Sequence, residues 1–465
     1  MVRTLRAIAL FVAGSILASC SPPAAPSAQP AQANAFTPPM SAALPAVRRA
    51  DPSHGKIKHV VIIVQENRTL DNLFNGYPGA DTVSVGLDSK GNHVPLKPVS
   101  LSTLFVVDHS AESMFLACNS AGPIPGTRCR MNGFDREYAS CEPSTNCPRE
   151  IPYVYVPHTD SQPYFDMAHE WVLADHNFQS HLDESFVGHQ YLIAAQANDT
   201  VNLPSGTWGC SGYSNIHTIS KTRFVSDGYV SACFDYQTIA DEVDRANLTW
   251  RFYTSTYDDP LGNDAAEWSA YQAVRHIYTS REWTTNVDGC CVPQTRFLND
   301  VAHGTLANVT WITPICNNSD HAACGGGLGP SWVSALVNAV GKSKFWDSTA
   351  IFVVWDDFGG LYDHVPPPYK DQDGLGFRVP LLVISPYAKR NYVSHVQYES
   401  AGILTFTEDV FGLGRLAAAD SRATSPAADC FDFAGAPRPF RPIAAAKPAS
   451  FFLHQPADRR APDDE

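Results

Sequence analysis

The chain has 465 residues, 47 acidic against 33 basic side chains, a formal net charge of −14 and 44% hydrophobic residues. That apolar share can fill a large core, and the negative balance argues against a nucleic-acid partner and against electrostatic adsorption to anionic lipid. Zwitterionic lipid and soluble phosphate esters remain open as partners.

The first stretch, MVRTLRAIALFVAGSILASC, starts basic with Arg3 and Arg6 and is apolar from Ala7 to Leu17. It is too short for a stable membrane span and reads as a secretory signal over residues 1–20. Its ending, Leu17-Ala18-Ser19-Cys20, resembles a bacterial lipobox, so Cys20 is expected to carry a lipid anchor, with ordinary cleavage nearby as the alternative. The expected location is the outer membrane, periplasm or cell surface as a lipoprotein, with secretion as the alternative. Residues 21–55, rich in Pro, Ala and Ser, cannot bury a core and read as a semi-extended tether. A single catalytic domain is expected over 56–416, and a loosely packed tail of Ala, Pro and charge over 417–465.

The domain opens with KIKHVVIIVQENRTLDNLFNG, Lys56 to Gly76. The β-branched run Val60–Val64 predicts a strand buried on both faces. It stops at Gln65, Glu66, Asn67 and Arg68, the place beyond a strand's carboxyl end where open α/β sheets keep their ligand sites. The Glu66 carboxylate and the Asn67 amide oxygen are hard ligands suited to a divalent cation. The plainer reading is a helix cap, with Thr69, Asp71 and Asn72 at hand.

Between 78 and 160 turns and cysteines dominate, and the triplet Asp108-His109-Ser110 stands out. Besides Cys20 there are eleven cysteines, and proximity favours Cys118–Cys129, Cys141–Cys147, Cys210–Cys233 and Cys316–Cys324, with at least one thiol left over. An exported chain can oxidise them, and without paired C-x-x-C motifs a zinc cluster is disfavoured. Residues 163–197 read as helix, irregular segment, helix. Ser185 lies just before the second helix, where a helix amino terminus stabilises an alkoxide or a bound phosphate, or where it serves as a cap.

NVTWITPICNNSDH predicts a strand ending in polar residues before His321, and GPSWVSALVNAVGKSKFW a helix leading back to the sheet. TAIFVVWDDFGGLYDHVPPP repeats the first pattern: the apolar run Ala350–Trp355 stops at Asp356 and Asp357. Adjacent carboxylates repel unless a cation lies between them, so the two acid-tipped strands read as halves of one metal site. RVPLLVISPY is a further strand and Tyr398–Phe411 a helix. Strands alternating with helices predict one three-layer α/β/α domain around a mostly parallel sheet.

Five segments carry a resemblance to a known family: HVVIIVQENRTLDNLFNGYPG, SFVGHQYLIAAQ, SDH, WDDFGGLYDHVPPP and RVPLLVISPYAKRNYVSH, in that order from about Lys56 to Gly414. Together they resemble the bacterial phosphoesterase family of phosphatidylcholine-type phospholipases C and acid phosphatase A, a branch of the alkaline-phosphatase-like superfamily. The resemblance implies an alkaline-phosphatase-like fold, a nucleophile at Ser185, and His109 and His321 at the phosphate site. The expected metal set is Glu66, Asn67, Ser185, Asp356 and Asp357, holding calcium or magnesium in preference to zinc because the ligands are oxygens. The expected activity is hydrolysis of phosphate mono- or diesters, with a small phosphate ester or a phospholipid headgroup as substrate. The alternatives are a sulfate-ester hydrolase or a surface-anchored binding protein that keeps the fold. Four positions depart from the family pattern: Val187-Gly188 stand where Pro-Asn is common, Asp357 where Glu is common, and Phe358 where a histidine is common. His364 is expected to orient the acid-bearing loop.

Overall fold

Residues 50–141, 150–206, 209–212, 214–254, 268–288 and 293–456 are described by the structure, a computed structural model. The expected leader, Cys20 and most of the tether lie outside the described residues, as do Cys147, Cys290 and Cys291.

The core is an eight-stranded sheet of β1 (His59–Gln65), β2 (Val172–Ala174), β3 (Trp250–Tyr253), β4 (Val287–Asp288), β5 (Val309–Ile312), β6 (Thr349–Trp355), β7 (Leu381–Ile384) and β8 (Tyr392–Ser394), ordered β4-β3-β5-β1-β6-β7-β2-β8. Only β7 runs against its neighbours; every other pairing is parallel. The β-branched run takes the centre because side chains there must be apolar on both faces: Val60 to Val64 are at most 1% exposed, each contributing on the order of 1.5–3 kcal/mol of burial.

Helices α1 (Leu70–Leu73), α2 (Ala111–Cys118), α3 (His158–Glu170), α4 (Ser185–Ala194), α5 (Gly329–Gly341) and α6 (Gly402–Phe411) include those that cover the sheet. On β6, Phe352 meets Phe406 of α6 at 5.0 Å and Trp355 meets Tyr164 of α3 at 5.1 Å between ring centres. Three residues apart on a strand means opposite faces, so the sheet is sandwiched between helices as expected. α3 packs with α5 on one side and α4 with α6 on the other.

Register decides where the site lies. β1 pairs in parallel with β6 so that Gln65 faces Trp355, and Asp356 N–H donates to Gln65 C=O at 3.0 Å. Glu66 and Asp356 therefore leave the sheet side by side. β5 lies on the other side of β1, with Ile312 level with Ile63, and delivers the loop to His321 at the same edge.

The pairs Cys118–Cys129, Cys210–Cys233 and Cys316–Cys324 form as expected. Cys141 is also disulfide-bonded. Among the described residues Cys430 is a free, buried thiol.

Two expectations need correction. The helix assigned to Tyr398–Phe411 starts at Gly402, because Tyr398–Glu399 pairs with Asn177–Phe178 instead. Nor is the stretch after 416 loose: Cys430, Phe431, Ile443 and Phe452 join the main core, and Phe440 stacks on Trp171 at 5.8 Å. These are single apolar anchors among Ala and Pro, and a segment that packs one side chain at a time has no periodicity to detect.

Candidate active site

Two strand ends, one helix start and two loops converge at the carboxyl edge of the sheet. β1 supplies Glu66 and Asn67, β6 supplies Asp356 and Asp357, and α4 supplies Ser185 and His189; all six are buried. Ser185 is the first residue of α4, after Glu184 at the cap position. Its hydroxyl does not cap the helix but donates to Asp357 Oδ2 at 3.0 Å. Asp356 Oδ1 accepts from the backbone N–H groups of Asn67 (3.0 Å) and Asp357 (2.8 Å). Asn67 Nδ2 donates to Asp357 Oδ2 at 3.3 Å and meets His109 Nε2 at 3.0 Å. All five expected metal-site residues are thus brought together.

The backbone is shaped for this convergence. Asn67 has φ +59°, a left-handed conformation that asparagine tolerates better than most residues. Gly359, also at φ +59°, passes so close that a Cβ would lie 2.5 Å from the Asn67 carbonyl oxygen. At Gly188 a Cβ would lie 3.0 Å from both the Asp356 carbonyl oxygen and His181 Nε2. The departure from Pro-Asn at Val187-Gly188 thus coincides with a tight approach of α4 to Asp356. Phe358 fills the space beside His109, with ring centres 6.3 Å apart.

The two expected histidines flank one space, their ring centres 6.4 Å apart. His321 Nδ1 accepts from Ala323 N–H at 3.1 Å, so its neutral ring carries the proton on Nε2. His109 has the other tautomer, since Nδ1 faces the Val107 carbonyl at 2.9 Å and a carbonyl only accepts. One ring is built as a donor and the other as an acceptor.

The His321 loop is held by side chains that the sequence reading did not assign. Gln65 accepts from Asp320 N–H at 2.9 Å and donates to the Asn318 carbonyl at 3.1 Å. Arg68 donates to the Asp320 carbonyl from Nε at 2.8 Å. The Asp320 carboxylate accepts from Tyr164 Oη–H at 2.8 Å and Trp355 Nε1–H at 3.1 Å. No motif signals these contacts, because they join segments about 250 residues apart.

Electrostatics at the site run both ways. Burial alone would push the Asp356 carboxyl up, but the hydrogen bonds it accepts, that of the Asn67 N–H among them, outweigh burial and hold it below the usual range. Burial pushes the Asp320 carboxyl up to about 6 against its hydrogen bonds and Arg68, and pushes the Arg68 guanidinium down to about 10. An acid raised from 3.8 to about 6 on folding binds its proton more tightly in the native state. Its contribution to stability is therefore complete below pH 3.8 and is lost as pH rises through 6. Asp320→Asn keeps an acceptor for Tyr164 but removes the titration. The melting temperature of the variant minus that of wild type is expected to rise between pH 3.5 and pH 7, by the equivalent of about 3 kcal/mol. Thermal unfolding of both proteins across that range checks it, and parallel curves would exclude it.

The donor set fits a divalent cation. Asp356 Oδ2 and Asn67 Oδ1 are buried with no hydrogen-bond partner among the described residues, and Glu66, His189 and Asp356 have ligand-like spacing. A second acidic group, Asp71, Asp363 and His364, also has ligand-like spacing. There Arg378 donates to Asp363 at 2.9 and 3.1 Å, so a fixed cation already supplies the charge. His364 pairs with Asp71 (2.7 Å) and Asp81 (3.2 Å), contacts that anchor its own loop.

His189, not among the expected site residues, also joins the site. Its Nε2 lies 3.2 and 3.3 Å from the two Glu66 oxygens and 3.6 Å from Asp356 Oδ2. The available signal was spacing, since a residue four positions after Ser185 on a helix shares its face.

A model of the Phosphoesterase family matches residues 57–414. The chain is 22% identical to Phospholipase C A of Mycobacterium tuberculosis over 83% of this chain and 79% of that protein. It is 24% identical to the non-hemolytic phospholipase C of Pseudomonas aeruginosa over 80% of this chain and 56% of that protein. A solved structure described as a protein in the alkaline phosphatase superfamily from Vibrio parahaemolyticus aligns over 79% of this chain and 69% of its own, at 11% identity and TM-score 0.36.

Proposed function

This chain belongs to the Phosphoesterase family and is a hydrolase of phosphoric ester bonds, and on that premise we propose that it works outside the cytoplasm through a serine nucleophile and a divalent cation. The observation that carries the reading is Ser185 Oγ, at the amino terminus of the buried helix α4 and 3.0 Å from Asp357 Oδ2, beside Glu66 and Asp356. The disulfides support export, since such bonds persist in oxidising compartments.

Ser185 Oγ attacks phosphorus and the ester oxygen departs opposite it. Asp357 Oδ2 orients the hydroxyl and accepts its proton as the new bond forms. The α4 amino terminus stabilises the charge gathering on the phosphoryl oxygens. His321 donates a hydrogen bond from Nε2–H to a phosphoryl oxygen or to the leaving oxygen while keeping that proton, and the departing oxygen takes its proton from water. His109, whose Nε2 is the acceptor, takes a proton from the water that later cleaves the phosphoserine. Glu66, Asn67, Asp356 and Asp357 would hold the cation, which would lower the proton affinity of the serine hydroxyl when bound.

Phospholipase C relatives favour a phospholipid headgroup or a related diester over a monoester as substrate. The test is turnover of aryl phosphomonoesters, aryl phosphocholine and phosphatidylcholine, with and without chelator. The expected result is hydrolysis of the phosphocholine esters, abolished by chelator and restored by a divalent ion. Turnover that is insensitive to exhaustive chelation would remove the cation from the mechanism.

A further inference from the structure

The oxygen ligands are not alone at the strand ends. His189 Nε2 approaches Glu66 and Asp356 from α4, and one ligand atom from each of the three residues lies within 4.8 Å of the others. All three side chains are at most 1% exposed. Two distances suggest what the imidazole does. A cation with ligands at about 2.1 Å separates neighbouring donors by about 3.4 Å in a tetrahedron and about 3.0 Å in an octahedron. The observed 3.2 Å to Glu66 falls within that range, and the 3.6 Å to Asp356 lies just beyond its upper end. An imidazolium paired with a carboxylate would close to about 2.7–2.9 Å, and His189 instead lies nearly equidistant from both Glu66 oxygens, at 3.2 and 3.3 Å. Asp356 Oδ2, the oxygen nearer His189, is the one buried without a hydrogen-bond partner. Gly188 lets this turn of α4 close on Asp356, where a Cβ would lie 3.0 Å from the Asp356 carbonyl oxygen.

We infer that His189 Nε2 is a ligand of the bound ion together with Glu66 and Asp356, so that the site selects a first-row transition metal over calcium or magnesium. This rests on the metal-dependent reading of the same site. One neutral imidazole among carboxylates shifts preference from hard oxygen-seeking ions toward manganese, iron, cobalt or zinc. The expectation of calcium or magnesium followed from a ligand set read as oxygens only, and α4 adds the nitrogen.

The experiment is metal binding by the full-length protein after chelator stripping, titrated with Co²⁺ and with Mg²⁺ in a calorimeter, with X-ray absorption on the cobalt form. Wild type is expected to bind Co²⁺ far more tightly than Mg²⁺ and to show outer-shell scattering from one imidazole. His189→Gln is expected to lose roughly 100-fold or more in Co²⁺ affinity, beyond the 10–100-fold range of residues that only support a ligand, and to lose the imidazole signal. His189→Asp, which restores a ligand of oxygen type, is expected to regain binding with a smaller preference for Co²⁺ over Mg²⁺. Cobalt bound by wild type without imidazole scattering, or with equal affinity in His189→Gln, overturns the role of His189 and leaves the cation reading standing. No binding of either ion by wild type overturns both. The wild-type spectrum decides even if a variant does not fold.

Discussion

Ser185→Ala is expected to fold normally and to lose turnover of an activated phosphate ester by roughly 10³-fold or more. A mechanism through a covalent phosphoserine has no substitute for the attacking oxygen, and what remains is only the rate supplied by binding and charge stabilisation. Stability should move little. The hydroxyl donates to Asp357 Oδ2, and that oxygen keeps its bond from Asn67 Nδ2, so the cost is about 1 kcal/mol. Ser180→Ala is an informative control because it should show the opposite pattern. Ser180 Oγ accepts from Ala401 N–H at 2.9 Å in a buried setting, so its loss leaves an orphaned donor and costs about 1–3 kcal/mol while chemistry persists. Steady-state kinetics and thermal unfolding of both variants separate the cases. Phosphate trapped on Ser185 by acid quench would support the covalent route, and near-normal turnover of Ser185→Ala would remove the nucleophile from the mechanism.

Asp356→Asn is expected to empty the cation site and, with it, to lower kcat/KM by roughly 10³-fold or more, the order seen when a central catalytic component is lost. The substitution is mild in shape. The amide oxygen can still accept from the Asn67 and Asp357 N–H groups, so the β1 and β6 ends stay joined. What disappears is the negative charge at Oδ2, which faces Glu66 and His189. Cation affinity falls with that charge, and metal content after dialysis should drop to roughly a tenth of wild type or less. In chelator the variant should be less stable than wild type near neutral pH, because the Asp356 carboxyl is held below its usual range in the fold and its charge is favoured there. Elemental analysis and melting curves with and without chelator test both halves. Full metal content in the variant would refute this ligand set.

Chemistry that comes in contiguous runs was legible in the chain itself. Val60–Val64 and Ala350–Trp355 announce buried strands because a strand covered on both faces must be apolar throughout, and the acids that end them stand out for the same reason. Three disulfides were recoverable because close cysteines in sequence can meet without long-range folding. Positions matching the family pattern at Ser185, His109 and His321 pointed to one region, and the chain brings them to it.

Tertiary structure decided everything that depends on register and approach. The pairing of Gln65 with Trp355 brings Glu66 against Asp356 across nearly 300 residues of sequence, and no local rule gives that register. The clamp of Gln65 and Arg68 on the His321 loop consists of side-chain contacts to backbone carbonyls and an N–H group, which any sequence offers everywhere. The opposite tautomers of His109 and His321 follow from single backbone partners two residues away. His364 sits beside the expected acids in sequence yet joins Asp71 and Asp81, because Arg378 organises a separate network there. His189 enters the site because α4 begins at Ser185 and Gly188 lets its first turn close on Asp356. Strand patterns report which side chains must avoid water; only the packing of one element on another reports which polar side chains must meet.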